Sequence, residues 1–146
     1  MQALRLALAA AALVAVAAPR PADAGTQLGL GADWLLDPED GAFQLTFAVD
    51  QRIARHVTFG GRFGAAFLTD PTRIGVPIDA RLRFRVDRLY LEGLVGPWII
   101  FDDDDALRFH AAIGFGVVSR RSWQIGLELG YLDPTAMVGL RLAFPF

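Results

Sequence analysis

Between Thr26 and Phe146 apolar and polar residues alternate with a period of two, and the charged residues inside the alternating stretches fall on one set only. Over 123–132, Trp123, Ile125, Leu127, Leu129 and Tyr131 alternate with Gln124, Gly126, Glu128 and Gly130. Over 74–86, Ile74, Val76, Ile78, Ala80, Leu82, Phe84 and Val86 alternate with Gly75, Pro77, Asp79, Arg81, Arg83 and Arg85. Over 107–118, Leu107, Phe109, Ala111, Ile113, Phe115 and Val117 alternate with Arg108, His110, Ala112, Gly114 and Gly116. A helix repeats its faces every 3.6 residues and a strand every two. The chain is therefore built of sheet with one apolar and one polar face.

Turn signals divide this stretch into eight segments: 27–36, 42–49, 55–68, 74–86, 89–101, 107–118, 123–132 and 136–146. Most are close to the ~9–11 residues that a tilted membrane strand needs. Short connections make neighbours antiparallel, and an even count returns both ends to one side. The expected fold is all-β: an eight-stranded antiparallel up-and-down transmembrane β-barrel, preceded by a cleavable signal peptide.

Three observations turn the apolar face outward, towards lipid. An arginine facing hydrocarbon near the midplane costs about 2–4 kcal/mol, and the apolar face carries no charge. The polar face instead holds Arg62, Arg81, Arg83, Arg85, Arg108 and Arg141 with Asp33, Asp79, Glu92 and Glu128. Eleven of the fifteen glycines (29, 31, 60, 64, 75, 96, 114, 116, 126, 130 and 139) also lie on the polar face. Glycine weakens a solvated strand but makes room inside a narrow barrel. Aromatic residues of the apolar face gather near strand ends: Trp34, Phe43, Phe67, Phe101 and Tyr131 at one, Phe47, Phe59, Phe84, Trp123 and Phe146 at the other. That is the pattern of two interfacial girdles. The alternative is a soluble periplasmic lipocalin-like barrel with the faces inverted.

Length fits one domain. No stretch of 18 apolar residues follows residue 24, which excludes a membrane helix in the body of the chain. A net charge of −2 argues against a nucleic-acid partner. Without cysteine there is neither a disulfide framework nor a thiolate metal site. Residues 1–24 read as a secretory signal: Arg5, an apolar Leu6–Ala18 core, helix-ending Pro19 and Pro21, and small residues at Ala22 and Ala24. Cleavage before Gly25 leaves 25–146 as the barrel domain.

The last segment, Val138-Gly139-Leu140-Arg141-Leu142-Ala143-Phe144-Pro145-Phe146, finishes its alternation on a terminal phenylalanine. With the export signal and eight strands, the chain resembles the small outer-membrane barrels of the OmpA/OmpX type. Pro145 inside the terminal segment and short outer loops are departures from that pattern. The resemblance implies a bacterial outer-membrane location with periplasmic termini. It also implies that Leu140, Leu142, Phe144 and Phe146 form the signal read by the barrel-assembly machinery. Membrane lipid is the other partner expected, around a monomer.

In that orientation the outer connections carry nine acids and one arginine, and the inner ones Arg52, Arg55, Arg88, Arg120 and Arg121 against Asp50 and Asp87. Asp102, Asp103, Asp104 and Asp105 are weak candidates for Ca²⁺ or Mg²⁺, which prefer oxygen ligands; a solvated charge run is the plainer reading. In the lumen, unpaired charges are too costly. An ion-pair network is therefore expected among Asp33, Arg62, Asp79, Arg81, Arg83, Glu92, Arg108, Glu128 and Arg141. It plugs the pore, or, through an excess of two positive charges, lines a narrow anion path.

No enzyme and no cofactor are expected. Ser119 and Ser122 sit at an inner turn, and His56 and His110 are too far apart to share a metal; each histidine is expected in the lumen, hydrogen-bonded to a neighbour. Pro77 and Pro97 lie level on adjacent strands, where a missing N–H predicts a bulge, or a lateral gap admitting a lipid chain. The function expected is a structural or surface role. A small pore or a lipid-binding and transport barrel is the alternative.

Overall fold

The computed structural model describes residues 24–146 except Pro38. The expected signal segment lies outside the described residues apart from Ala24. Eight strands follow in order: β1 Ala24–Leu36, β2 Glu39–Ala54, β3 Val57–Thr69, β4 Thr72–Val86, β5 Leu89–Ile100, β6 Leu107–Val118, β7 Gln124–Leu132 and β8 Thr135–Pro145. Each pairs antiparallel with the next, and β8 closes on β1 from Gln27↔Pro145 to Leu35↔Met137. No strand edge is left open, so the strands find their ladder partners in one another rather than in solvent.

The connections are tight because their residues suit turns. Asp70-Pro71 and Asp133-Pro134 each leave two residues between paired strand ends, at Thr69↔Thr72 and Leu132↔Thr135. Asp87 adopts φ 51° in the two-residue turn between Val86 and Leu89; aspartate tolerates this left-handed region better than most residues. The end of the barrel where β1 starts and β8 finishes is called the near end below, and the opposite end the far end. Three of the four far-end connections are short turns, and 101–106 is the longest.

The alternation sorts the side chains as expected. Leu127, Ile113 and Leu140 are 39%, 59% and 57% exposed on the outer wall, whereas Arg81 and Glu128 are buried inside. The inverted, lipocalin-like arrangement is thus not the one adopted. Apart from Phe101, half-buried in the 101–106 connection, both aromatic groups point outward; Trp34 and Phe43 mark the far end, and Phe59 and Phe84 the near end.

The strand limits depart from the sequence reading in places. Arg55 and His56 form the β2–β3 turn, and β2 runs on through Asp50 to Ala54 with a register shift between Arg52 and Ala54. No such shift accompanies the prolines. Pairing lapses opposite Pro77 in β3–β4 (64–65 against 76–77) and at 78–79 against 96–97 in β4–β5, yet the register on either side is unchanged. The expected bulge is therefore absent: two N–H groups are lost without an inserted residue. Pro77 itself is fully buried in the lumen.

Candidate functional site

Among the described residues the buried charges gather in the lumen. Arg62 of β3 lies opposite Asp79 of β4 in the register, and donates from Nη2 to Asp79 Oδ2 at 2.9 Å. Its Nη1 crosses the lumen to Glu128 Oε2 of β7 at 2.7 Å. Glu128 also accepts from Arg141 Nε at 3.0 Å and Nη2 at 2.8 Å. Arg141 reaches Asp33 Oδ1 at 2.6 Å, and Asp33 is held as well by Gln44 Nε2. Towards the near end, Arg81 bridges Asp50 and Glu92, each at 3.1 Å. Arg83 donates to Glu92 at 2.7 Å and to Gln124 at 2.7 Å, and lies 4.4 Å over the Tyr90 ring, a cation–π geometry.

Glycine is what lets these long side chains fit. In the registers Arg81 faces Gly60, Glu92 faces Gly114, Glu128 faces Gly114 and Gly139, and Arg141 faces Gly31 and Gly126. A Cβ added to Gly31 would stand 2.8 Å from Arg141 Nη1, and one on Gly114 would stand 2.9 Å from Glu92 Oε1. On the outer wall, Gly93 has nothing within 4 Å of that position. Crowding inside and space outside explain the uneven placement of glycine along the sequence.

Eight of the nine expected network residues are paired in the lumen, in two groups rather than one: Asp33, Arg62, Asp79, Glu128 and Arg141 form the first, and Arg81, Arg83 and Glu92 the second. Arg108 does not. It lies above the network at the far rim, where Nη2 meets Asp103. Arg85, also on the polar face, is exposed at the near rim and donates to its own turn at Asp87 O (3.2 Å). Asp50, read as a connection, belongs to the network because the alternation of β2 continues past Val49. The lumen therefore holds four arginines against Asp33, Asp50, Asp79, Glu92 and Glu128, and the expected surplus of positive charge is reversed. The anion path loses its basis with it.

An apolar layer, absent from the sequence reading, closes the far half. Leu35, Ala42, Ala66, Leu68, Trp98, Ile100, Leu132 and Met137 pack there, each no more than 3% exposed. The signal was present: at Leu35-Leu36, Phe67-Leu68, Trp98-Ile99-Ile100 and Met137-Val138 both faces are apolar. Such runs mark strands buried on both sides. His110 sits at the boundary. Its Nδ1 donates to Asp79 Oδ1 at 2.7 Å and its ring lies 5.1 Å from that of Trp98. His56 is not a lumen residue; it is exposed, with Nδ1 3.1 Å from Arg85 O.

Above the apolar layer the far rim is tied by side chains. Asp40 accepts from Thr69 N (3.1 Å), Thr69 Oγ1 (2.8 Å) and Asp70 N (2.8 Å). Asp103 receives Arg73 Nη1 at 2.8 Å, together with Arg108. Asp102, Asp103, Asp104 and Asp105 thus do not converge on an ion: Asp103 is given to two guanidiniums, and Asp102, Asp104 and Asp105 are exposed. Among the described residues no three His, Cys, Asp or Glu side chains are grouped to hold a metal. Ser119 and Ser122 lie in the β6–β7 connection and His56 in the β2–β3 turn, four strands apart and so on opposite sides of the barrel. Leu140, Phe144 and Phe146 are exposed and Leu142 half-buried along the last strand.

The lumen leaves little free space. A cavity of about 30 Å³ lies among Gln27, Thr46, Arg81, Tyr90, Glu92 and Arg141, room for buried water beside these polar groups.

No family model matches the sequence, and no curated protein does. Solved structures do. One, from the de novo design of transmembrane β-barrels, superposes with a TM-score of 0.65 at 10% identity, over 88% of this chain and all of that one. The outer membrane enzyme PagL matches at 0.59 and 13% identity, over 84% and 98%. The Yersinia pestis outer membrane protein Ail matches at 0.56 and 15% identity, over 85% and 100%. The fold is that of the small eight-stranded outer-membrane barrels. The expectation drawn from the alternation and the last strand holds at the level of architecture. At these identities the likeness carries the fold and nothing of either natural protein's role.

Proposed function

We propose that the protein resides in a bacterial outer membrane as a monomeric, closed barrel with a structural or surface-shielding role, its far end outside and its termini in the periplasm. The observation that carries this is the inversion of the side chains. The wall that meets the surroundings is apolar all round, and the charges are turned into a closed interior. In water such a wall would be a large exposed apolar patch; in lipid it is the face of lowest cost. Buried arginines and carboxylates fill the centre, and the apolar layer seals the far half, so the interior supports a plug better than a pore. The separation of serines from histidines supports a non-enzymatic role without a cofactor. Membrane lipid is the main partner, and the assembly machinery reads Leu140, Leu142, Phe144 and Phe146.

Fractionation of expressing cells tests the location: the protein stays with the outer envelope and migrates differently on a gel before and after boiling. Recovery in the soluble periplasm would overturn it. Planar-bilayer recording tests the plug, for which no steady conductance is expected; a sustained current would favour the pore.

A further inference from the structure

The two rims differ in how their charges are used. At the far rim the arginines are spent on neighbours, since Arg73 and Arg108 both bind Asp103. At the near rim Arg52, Arg55, Arg85, Arg88, Arg120 and Arg121 are all exposed, and none forms a salt bridge among the described residues. The one exposed acidic side chain on that rim is Asp87, among the described residues. Asp50, two residues before Arg52, is withdrawn into the lumen by Arg81.

The outer wall beside these arginines is apolar. Ile53, 60% exposed, and Phe84 and Val86, 48% and 42% exposed, lie on the outer face of the strand ends whose polar face carries Arg52 and Arg85; Arg88, in the β4–β5 turn, adjoins Leu89, 65% exposed. Trp123, 38% exposed, follows Arg120 and Arg121 by two residues. Guanidiniums interleaved with apolar and aromatic groups suit a boundary where stems lie against hydrocarbon and charged heads reach the polar layer. A soluble polyanion would meet only the charges and would leave the apolar groups in water. Guanidinium also matches phosphate oxygens with paired N–H donors.

We infer that this near-end crown binds the phosphate headgroups of anionic glycerophospholipids in the leaflet it faces, gathering them around the barrel. The inference rests on the membrane reading above. Each arginine close to an anionic membrane surface strengthens association about fivefold, so the crown selects anionic over zwitterionic lipid and does so less in high salt.

Two tryptophans make the test local. Trp123 stands at the crown and Trp34, 54% exposed, at the far rim, while Trp98 is buried in the lumen away from lipid. The refolded chain, as Trp34→Phe or Trp123→Phe, is placed in phosphatidylcholine vesicles containing equal fractions of either brominated phosphatidylglycerol or brominated phosphatidylcholine. The expected result is quenching of Trp123 that indicates at least about fivefold stronger association of phosphatidylglycerol, with no such preference at Trp34. Combining Arg52→Gln, Arg88→Gln, Arg120→Gln and Arg121→Gln abolishes the preference while the heat-dependent gel shift persists. Should that variant not fold, the lipid comparison in the unaltered crown decides. Equal quenching by both lipids overturns the inference and leaves the membrane reading standing. No quenching by either overturns both. Loss of the preference to inorganic phosphate, beyond its loss to sodium chloride at equal ionic strength, overturns the assignment to lipid.

Discussion

The far and near halves of the lumen are closed by opposite means. The far half is filled by Leu35, Leu68, Trp98, Ile100, Leu132 and Met137, which need only volume. The near and central part is filled by arginines and carboxylates, each of which needs particular partners. An apolar plug degrades gradually, since removing a side chain costs transfer energy plus a cavity. An ionic plug is coupled: removing one partner leaves others buried and uncompensated. The network is also the part that needs glycine, because a guanidinium or carboxylate must pass a neighbouring strand to find its partner. The far half has a single such glycine beside its apolar layer, Gly75 against Ile100 and Ala66, and otherwise uses Ala42 and Ala66.

The largest effect is expected where one residue serves two others. Glu128→Ala strands both Arg62 and Arg141 and should destabilise the barrel by about 4 kcal/mol, within the ~3–5 kcal/mol seen when a buried pair loses one member. The measurement is the urea midpoint of the barrel refolded in vesicles. Adding Arg141→Ala should restore part of the loss, since interacting sites are non-additive by about 0.5–3 kcal/mol. Strict additivity would mean that the network is a set of independent pairs, and the contrast between the halves would fail.

Leu68→Ala comes next. It is 1% exposed in the apolar layer, and truncating a buried leucine costs about 3 kcal/mol. Here a substitution to Met should cost less than about 1.5 kcal/mol, as volume-conserving apolar exchanges do. No exchange so forgiving is expected for Glu128. Equal tolerance at the two sites, read from the same urea midpoints, would erase the distinction.

Gly126→Ala should cost about 2 kcal/mol, by overpacking. A Cβ there would collide with the Tyr90 hydroxyl and lie 2.7 Å from Phe115 O. Gly93→Ala, on the outer wall with open space, should leave the midpoint unchanged. A similar cost at both would show that the glycines serve strand bending generally rather than the charged interior.

The legibility of the molecule follows the same division. The period of two and the exclusion of charge from one face were enough for eight strands, their order and which face lines the lumen. They were also enough for eight of the nine network residues, because a residue's face follows from parity alone. Height along the barrel does not. Arg108 has the parity of a lumen residue but stands level with the 101–106 connection, where Asp103 claims it. Asp50 reads as part of a turn because the end of β2 lacks a turn signal of its own. The apolar layer does not show in the alternation of either face alone, although the doubled apolar residues at Leu35-Leu36 and Trp98-Ile99 carry it. The prolines promised a bulge, and the chain dropped ladder pairs instead; parity cannot distinguish these outcomes, since neither moves a side chain across the sheet.

The smallest effects should lie at the far rim, where the contrast can be sharpened at short range. Asp103 and Asp105 are two residues apart in one connection, and on sequence alone they are equivalent members of a run of four acids. In the structure Asp103 is shared by Arg73 and Arg108, which reach it from β4 and β6, while Asp105 is exposed. Those pairs are partly shielded, so each is worth more than a fully solvated one but far less than the buried network. Asp103→Asn should therefore cost about 1 kcal/mol and free the 101–106 connection, raising its rate of proteolytic nicking. Asp105→Asn should stay within about 0.5 kcal/mol of the parent with nicking unchanged. If both substitutions loosened the connection equally, the far-rim lock would be a solvated charge cluster. The apolar layer beneath it would then be what seals that end.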